Sequence, residues 1–229
     1  MKALVFDVFG TVVDWRSGVA RDVARLLGPD VDAAAFADAW RGRYTPSMDR
    51  VRRGERPWAS LDTLHRESLD GLLVEFGRPG TDEGTRRELV LAWHRLDPWP
   101  DSVAGLARLR ERFVIATLSN GNVSLLVDMA RRAGLPWDTV LSAELFGHYK
   151  PDAEVYTGAA TLLGAAPDDV LMVAAHVDDL AAARACGLRT AYVHRPDEKG
   201  PAGSPPVTDP AADLSVDSLV ALAEHLGCP

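Results

Sequence analysis

Short apolar runs alternate with amphipathic stretches along much of the chain. Five of the runs have the length and the β-branched content of buried strands. They lie at 3–8, 113–118, 139–142, 170–174 and 190–193. Helical patterns lie between them, such as 123–133 before Gly134 and 180–186 before Gly187. Strands that alternate with helices predict an α/β fold in which helices cover both faces of a parallel sheet.

The region 15–96 departs from this alternation, because it carries helical patterns and no convincing strand. The stretch 33–43 places apolar side chains on one helical face, and 60–76 repeats leucines at helical spacing. A helical insert after the first strand lies over the carboxyl ends of the core strands, where such sheets bind ligands. We therefore predict an α/β core made of 1–14 and 97–229, with a helical cap domain between its two parts.

The composition is that of a globular protein and argues against some classes of function. The 229 residues are 47% hydrophobic and 25% charged, which is enough to bury a sizeable core. The net charge of -8 argues against nucleic-acid binding, which requires a clustered basic surface. The 2 cysteines fit a reducing compartment, and no segment has the apolar length of a signal peptide or membrane span. We predict a cytoplasmic protein that binds neither nucleic acid nor membrane, with a Pro- and Gly-rich surface loop at 197–210.

Four segments with chemically useful side chains follow the ends of predicted strands. They read Phe6-Asp7-Val8-Phe9-Gly10-Thr11, Leu118-Ser119-Asn120-Gly121, Tyr149-Lys150-Pro151-Asp152 with Tyr156 downstream, and Ala174-Ala175-His176-Val177-Asp178-Asp179. Because the carboxyl ends of parallel strands meet at one edge of the sheet, these segments can build one site.

The order and spacing of these motifs resemble those of the haloacid dehalogenase superfamily, and the resemblance covers essentially the whole chain. It implies a Rossmann-like core with a cap domain, and it assigns the nucleophile to Asp7. A carboxylate with an ordinary pKa of ~3.9 is ionised at neutral pH. It therefore attacks without a base and forms an ester that water later cleaves. Taken alone, Asp7 also suits an acidic turn residue after a strand.

The position two residues after Asp7 separates two kinds of reaction. Phosphatases of the superfamily usually carry a second Asp there, which protonates an alkoxide leaving group and helps to hold magnesium. This chain has Phe9 instead. An alkoxide benefits from a general acid, whereas a halide ion is a very weak base and leaves unprotonated. Phe9 therefore favours carbon–halogen chemistry, and the chain resembles the (S)-2-haloacid dehalogenases, also called haloacid dehalogenase type II. The resemblance implies that Phe9 also lies in the site that binds the substrate and the halide.

The resemblance gives supporting roles to further residues. Lys150 matches the family lysine, whose ammonium keeps Asp7 charged and can position the substrate carboxylate. Thr11 and Tyr156 are expected to support Asp7 and Lys150 by hydrogen bonds. Tyr44, in the predicted cap, is expected to add to an apolar wall that excludes water from the substrate, although packing in the core also suits its helical spacing.

Two pairs of residues resemble the substrate-binding residues of this subfamily. Ser119 and Asn120 match its Ser-Asn pair, whose polar groups suit an anionic substrate. They equally suit capping of the following helix, and both roles can hold together. The Trp-Arg pair at 40–41 matches a pair in which the arginine binds the departing halide with the asparagine. Arg41 is the expected halide ligand and Arg43 is a nearby competitor.

The fourth motif departs from the best-known members of the subfamily, which typically read Ser-Ser-Asn before the acidic residue. Here the sequence reads Ala174-Ala175-His176. Asp179 matches their Asp and is expected to accept a proton from the hydrolytic water or to pair with Lys150, with Asp178 as the alternative acid. His176 replaces an asparagine hydrogen bond, acts as a base or is a structural histidine, and the sequence leaves all three open.

Together, these observations predict hydrolytic dehalogenation of short 2-haloalkanoic acids to 2-hydroxy acids of inverted configuration, without a metal or other cofactor. The main alternative is a magnesium-dependent phosphatase for a small phosphate ester, with Asp7, Asp178 and Asp179 around the metal. The other alternative is a non-catalytic binding protein with the same fold. Subfamily members are often homodimers, and the sequence carries no unambiguous interface signal. It also leaves the natural acid, the halogen and the preferred enantiomer open.

Overall fold

The computed structural model describes residues 1–200 and 209–229 as strands, helices and connecting loops. The strands are β1 (Ala3–Phe6), β2 (Val13–Asp14), β3 (Asp97–Pro98), β4 (Val114–Ser119), β5 (Thr139–Ser142), β6 (Val170–Ala174), β7 (Arg189–Val193) and β8 (Leu214–Val216). The α-helices are α1 (Trp15–Leu27), α2 (Ala33–Gly42), α3 (Tyr44–Arg52), α4 (Leu61–Glu75), α5 (Glu83–Val90), α6 (Ser102–Arg110), α7 (Val123–Ala133), α8 (Ala153–Leu162), α9 (Val177–Ala185) and α10 (Leu219–His225). Short 3₁₀ helices lie at Leu91–Arg95, Ala143–Leu145 and Pro167–Asp169.

Six strands form one parallel sheet, in the order β5-β4-β1-β6-β7-β8. All four residues of β1 are buried, because helices cover both faces of a central parallel strand. The five strands predicted from apolar runs are all present, with ends that shift by a residue or two. Helix α7 has the predicted bounds and ends before Gly134, whose φ of 68° is left-handed. The predicted α/β fold is confirmed.

Three short strands were not predicted. The edge strand β8 has three residues, of which none is fully buried, so it lacks the apolar run that marks the inner strands. The strands β2 and β3 have two residues each and pair antiparallel with each other. They hold together the two chain connections between the parallel sheet and the helices of 15–95. The predicted cap bounds, 15–96, fall at this pair of strands, and the division into two domains stays a prediction.

Between β2 and β3 the structure has helices and no strand, as predicted for this part of the chain. Side chains begin several of these helices: Asp14 accepts from the Ser17 amide at α1, and Ser60 accepts from the Thr63 amide at α4. The apolar faces of the helices join the side chains of the sheet in one hydrophobic cluster. It includes Leu4 and Phe6 of β1, Trp40 of α2, Leu72 of α4 and Trp93.

One polar cluster, which we call the His94 junction, links the helices of 15–95 to α7. The Nδ1 atom of His94 lies 2.8 Å from Asp128 Oδ2, and its Nε2 atom lies 3.1 Å from both carboxylate oxygens of Asp62. Asn122 Nδ2 donates to Asp62 Oδ2 at 2.9 Å. Because His94 itself is buried, these bonds satisfy its two polar nitrogens inside the fold.

Two predictions from the sequence concern the surface and the membrane. Among residues 1–200 and 209–229, none of the helices combines the length and the apolar character that a bilayer crossing requires. The predicted loop at 197–210 lies in part outside the described residues. Its first residues, 197–200, form turns after β7.

Candidate active site

The predicted motifs converge at the carboxyl edge of the parallel sheet. Asp7 follows β1, Asn120 follows β4, and His176 follows β6 as the residue before α9. A cavity of about 330 Å³ opens at this edge beneath α2 and α3. The lining residues are Asp7, Arg41, Tyr44, Thr45, Met48, Asp49, Arg52, Asn120, Lys150, Pro151, Tyr156, His176, Asp178 and Asp179.

The carboxylate of Asp7 is 6% exposed and has hydrogen-bonding partners at both oxygens. Thr11 Oγ1 donates to its Oδ2 at 2.8 Å, and His176 Nδ1 lies 3.0 Å from the same oxygen. Lys150 Nζ donates to Oδ1 at 3.0 Å. Burial alone would raise the pKa of Asp7, but the charge of Lys150 and the bonds from His176 and Thr11 outweigh it and hold this pKa far below its usual range. Asp7 is therefore an ionised carboxylate in a buried site.

Lys150 is held between two carboxylates. Its ammonium contacts Asp7 and also donates to Asp179 Oδ2. Asn120 fixes its backbone, because the amide oxygen of Asn120 accepts from the Lys150 N–H at 2.8 Å and its Nδ2 donates to the Lys150 carbonyl at 3.4 Å. Burial opposes the charge of Lys150, yet the charges of Asp179 and Asp7 raise its pKa above the usual range. The lysine is a permanent cation here.

Asp179 and Asp178, the two candidate acids of the fourth motif, differ in surroundings. Asp179 accepts a hydrogen bond of 2.6 Å from the hydroxyl of Tyr156, besides the one from Lys150. Burial and the neighbouring charge of Asp7 raise the pKa of Asp179, although Lys150 opposes the shift. Asp178 is exposed at the rim of the cavity. The second acid beside the nucleophile is therefore Asp179.

His176 contacts a residue that no motif indicated. Its Nε2 atom lies 2.9 Å from Oε1 of Glu198, which also accepts from Trp15 Nε1 at 3.0 Å. Partial burial opposes the imidazolium form, but the bonds to Asp7 and Glu198 outweigh it and raise the pKa of His176 to about 10. The contact between Glu198 and His176 joins two separate loops, so no local spacing in the sequence indicates it. The one available signal is that Glu198 lies just beyond the carboxyl end of β7.

The cap side of the cavity pairs a guanidinium with aromatic rings. The Cζ atom of Arg41 lies 4.0 Å from the centroid of the Tyr44 ring and 5.5 Å from that of Trp15. Within the described residues, the buried Nη1 atom of Arg41 has no hydrogen-bond partner. Arg43, the competing candidate, pairs instead with Glu75 at 2.6 Å. A buried cationic donor without a partner suits an anionic ligand.

Besides Thr11, which contacts Asp7, the candidate residues Ser119 and Phe9 do not line the cavity. Ser119 is fully buried, and its hydroxyl oxygen accepts from the Gly121 amide at 3.2 Å. Phe9 is also buried, with its ring centroid 6.4 Å from that of Tyr44 and 5.9 Å from that of Trp93. The structure thus places Ser119 at the last position of β4 and Phe9 in the packing beneath Tyr44. Their predicted substrate contacts stay predictions.

The arrangement defines a class of protein. An ionised aspartate at the carboxyl edge of a parallel sheet, with a lysine on one oxygen and a second acid nearby, is suited to a hydrolase that forms an aspartyl ester. A family model described as haloacid dehalogenase-like hydrolase matches residues 1–187. The chain belongs to this family of hydrolases.

Solved structures and curated relatives agree with this assignment. The crystal structure of the L-2-haloacid dehalogenase PA0810 is 48% identical, with a TM-score of 0.94 over 99% of both chains. The structure of L-2-haloacid dehalogenase from Xanthobacter autotrophicus with chloropropionic acid covalently bound is 27% identical, with a TM-score of 0.84 over 99% of this chain and 98% of that chain. (S)-2-haloacid dehalogenase 1 of Pseudomonas sp. (strain CBS-3) is 31% identical over 199 residues, or 85% of this chain and 85% of that protein.

Proposed function

We propose that this protein is a 2-haloacid dehalogenase, a hydrolase that acts on carbon–halide bonds. It converts short 2-haloalkanoic acids to 2-hydroxy acids through an ester on Asp7. The relatives named above carry this activity in their names, and one of them holds chloropropionic acid covalently. A cavity of about 330 Å³ is of a size that suits a small acid.

The observation that carries the proposal is that Asp7 and Arg41 line the same cavity. Asp7 supplies a negatively charged oxygen for attack on carbon, and Arg41 supplies a positive charge whose buried Nη1 atom has no partner among the described residues. A displacement at carbon needs both, since electrons enter from one side and leave with an anion on the other.

In the first step, a carboxylate oxygen of Asp7 attacks C2 of the acid from the side opposite the halogen. A carbon–oxygen bond forms, the carbon–halogen bond breaks, and the halide leaves with the electron pair towards Arg41 and Asn120. Attack from the opposite side inverts the configuration at C2. Lys150 keeps Asp7 ionised before the attack. Tyr44, which contacts Arg41, contributes an apolar face that limits water around the leaving halide.

In the second step, water attacks the Asp7 carbonyl carbon of the ester. Asp179 is suited to take a proton from this water, because burial raises its pKa and makes its carboxylate a stronger base than an exposed one. Tyr156 and Lys150 hold the Asp179 carboxylate in position. Collapse of the tetrahedral intermediate releases the 2-hydroxy acid and regenerates Asp7.

The position of Phe9 supports this chemistry over phosphoryl transfer. Its side chain is apolar, buried and packed beneath Tyr44, so it offers no proton to an alkoxide leaving group. In the described part of the chain, no cluster of three or more His, Cys, Asp or Glu side chains has the arrangement of a metal site.

Halide release tests the proposed function. We expect release from 2-chloropropionate and chloroacetate in the presence of a chelator, and no phosphate release from p-nitrophenyl phosphate with magnesium. Replacement Asp7→Asn should lower halide release by roughly 10⁴-fold or more, because it removes the nucleophile. Phosphate release without halide release would support the magnesium-dependent phosphatase instead. A homodimer and a cytoplasmic location remain predictions from the sequence.

A further inference from the structure

Glu198 is a buried carboxylate outside the family motifs. It is 8% exposed and lies after β7, in a turn that Arg195 anchors. Arg195 donates from Nε to the Thr11 carbonyl at 2.9 Å and forms two further bonds with Asp101, at 2.8 and 3.0 Å. A Cβ atom on Gly10 would collide with the Glu198 carboxylate, and Gly10 has a φ of 85°. The backbone beside Asp7 is thus shaped to admit this carboxylate.

The position of Glu198 fixes the protonation of His176. The two ring nitrogens of His176 each face a carboxylate oxygen, Asp7 Oδ2 at 3.0 Å and Glu198 Oε1 at 2.9 Å. An ionised carboxylate only accepts hydrogen bonds, so both nitrogens must carry a proton. His176 is therefore an imidazolium, which agrees with its raised pKa of about 10.

The two oxygens of Asp7 have different surroundings. Among residues 1–200 and 209–229, Oδ1 accepts from Lys150 alone, whereas Oδ2 accepts from both Thr11 and His176. Thr11 is itself fixed, because its hydroxyl oxygen accepts from the Ala175 amide at 2.9 Å. The oxygen with fewer donors keeps a lone pair for attack, so Oδ1 becomes the ester oxygen and Oδ2 becomes the ester carbonyl oxygen. Negative charge then develops on Oδ2 when water adds to the ester.

We propose that Glu198 is a positioning residue that holds His176 as a charged hydrogen-bond donor to Asp7 Oδ2 during ester hydrolysis. The inference rests on the proposed function, since it concerns the second step of that reaction. Water forms a bond to the carbonyl carbon, and the π electron pair moves to Oδ2. Collapse restores the double bond and breaks the bond to Oδ1, which leaves with the 2-hydroxy acid. One proton of the water goes to Asp179 and the other to the leaving oxygen, while His176 keeps its own.

Glu198 matters most once the ester has formed. The charges of Asp7 and Glu198 both stabilise the imidazolium form of His176. Alkylation removes the charge of Asp7, so that Glu198 is then the carboxylate that stabilises it. Other charged or titratable groups line the two cavities to which His176 contributes. They are Arg41, Tyr44, Asp49, Arg52, Lys150, Tyr156, Asp178 and Asp179 in the active-site cavity, and Tyr192, His194, Arg195 and Lys199 at the end of β7 and after it. Without Glu198, His176 loses its proton at a lower pH when Asp7 is in the ester form.

The replacement Glu198→Gln tests the proposal in single-turnover reactions with 2-chloropropionate. We expect one equivalent of halide at a rate within about 3-fold of the wild-type rate. Ester hydrolysis should slow by roughly 10- to 100-fold, since a weakened oxyanion donor acts on that step. The mass of the intact protein should show the ester accumulating. The alkaline fall of the hydrolysis rate should also move to lower pH, a shift that loss of packing alone would not produce.

Asp197→Asn is the matched control, because it removes the same charge from an exposed neighbour in the same turn. We expect hydrolysis within about 2-fold of wild type for this variant. The variant His176→Asn provides a second test, in which adding Glu198→Gln should have no further effect on hydrolysis. Unchanged hydrolysis in Glu198→Gln, equal slowing of both steps, or an additive effect in the double variant would overturn the proposal. Absence of halide and ester in the wild-type protein would instead overturn the proposed function on which it rests.

Discussion

At the residue scale, the site distinguishes two adjacent acids: Asp179, which the family pattern favoured, and Asp178, which the sequence left as the alternative. Asp179 contacts Lys150 and Tyr156 inside the cavity, whereas Asp178 is exposed at its rim. Only a partly desolvated carboxylate gains basicity, because water stabilises the charge of an exposed one. These contacts support our proposal that Asp179 activates the hydrolytic water.

The pair Asp179→Asn and Asp178→Asn tests this assignment. We expect Asp179→Asn to release one equivalent of halide and then to stall as the ester, with hydrolysis slower by roughly 10²- to 10⁴-fold. Asp178→Asn should keep hydrolysis within about 3-fold of wild type. Rapid-quench measurement of halide and product separates the two steps. A stalled Asp178→Asn variant beside an active Asp179→Asn variant would reverse the assignment.

The sequence could predict the residues that lie in motifs, and these meet in the structure. Asp7, Lys150 and Asp179 form one hydrogen-bonded chain, as their matches to the family pattern implied. Glu198 could not be predicted, because its partner His176 lies across two loops and no local spacing records that contact. The burial of Ser119 could not be predicted either. It depends on how the end of β4 packs and on the turn that follows, in which the Gly121 amide donates to the Ser119 hydroxyl.

At the element scale, helices α6 and α10 pack at Gly105 with their backbones close together. A Cβ atom at Gly105 would lie 2.5 Å from the Leu219 carbonyl carbon and 2.8 Å from its oxygen. Backbone atoms cannot rotate away, so Gly105→Ala should lower the free energy of unfolding by about 1–3 kcal/mol. Gly71→Ala, at an open position in α4, should raise it by about 0.5–1 kcal/mol. Urea unfolding of both variants measures the contrast, and equal effects would show that α6 and α10 can separate freely.

The His94 junction makes part of the stability depend on pH. Burial opposes the charge of His94, but Asp62 and Asp128 outweigh it and raise its pKa above the ordinary 6.5. The stabilisation is therefore complete below pH 6.5 and is lost as the pH rises through the raised pKa. His94→Gln should cost about 1–3 kcal/mol at acidic pH and less at alkaline pH. A cost independent of pH would contradict the charged form of His94.

His65, on α4, provides a control, because its effect on stability changes with pH in the opposite direction to that of His94. It is buried, its ring stacks on Trp93 with centroids 4.3 Å apart, and burial lowers its pKa from 6.5 to about 3. As the pH falls from 6.5 towards 3, the unfolded chain binds a proton that the folded protein excludes, so the wild-type protein loses stability. His65→Phe removes this loss. Its stability relative to wild type should rise as the pH falls, and a constant difference would show that His65 is protonated in the fold.

The elements that the sequence predicted best are those with strong periodicity. Helix α7 and the strands β5 and β6 have their predicted bounds, because each combines a clear apolar pattern with a clear end. The strands β2, β3 and β8 have two or three residues each, which is too short for any alternation to be seen. Their pairing depends on contacts between distant segments, which a reading of local pattern does not detect.

At the scale of the whole molecule, the sheet supplies the reacting groups and the helices between β2 and β3 enclose them. Asp7 and Lys150 come from loops at the edge of the sheet and Asp179 from the first turn of α9, whereas Arg41 and Tyr44 come from the region predicted as the cap. Both parts contribute to one hydrophobic cluster, so the cavity is built by their packing. The order of motifs in the sequence predicted that residues from both parts would line one site. It could not give the distances on which the chemistry depends.

The measurement that tests the central claim most directly is a single turnover of 2-chloropropionate in water enriched in ¹⁸O, followed by mass analysis of product and protein. If Asp7 is the nucleophile and water attacks its carbonyl carbon, the hydroxyl oxygen of the product comes from Asp7. The heavy oxygen should then appear in the peptide that contains Asp7 and be absent from the 2-hydroxy acid. Heavy oxygen in the product of the first turnover would mean that water displaces the halide directly, which would contradict the account.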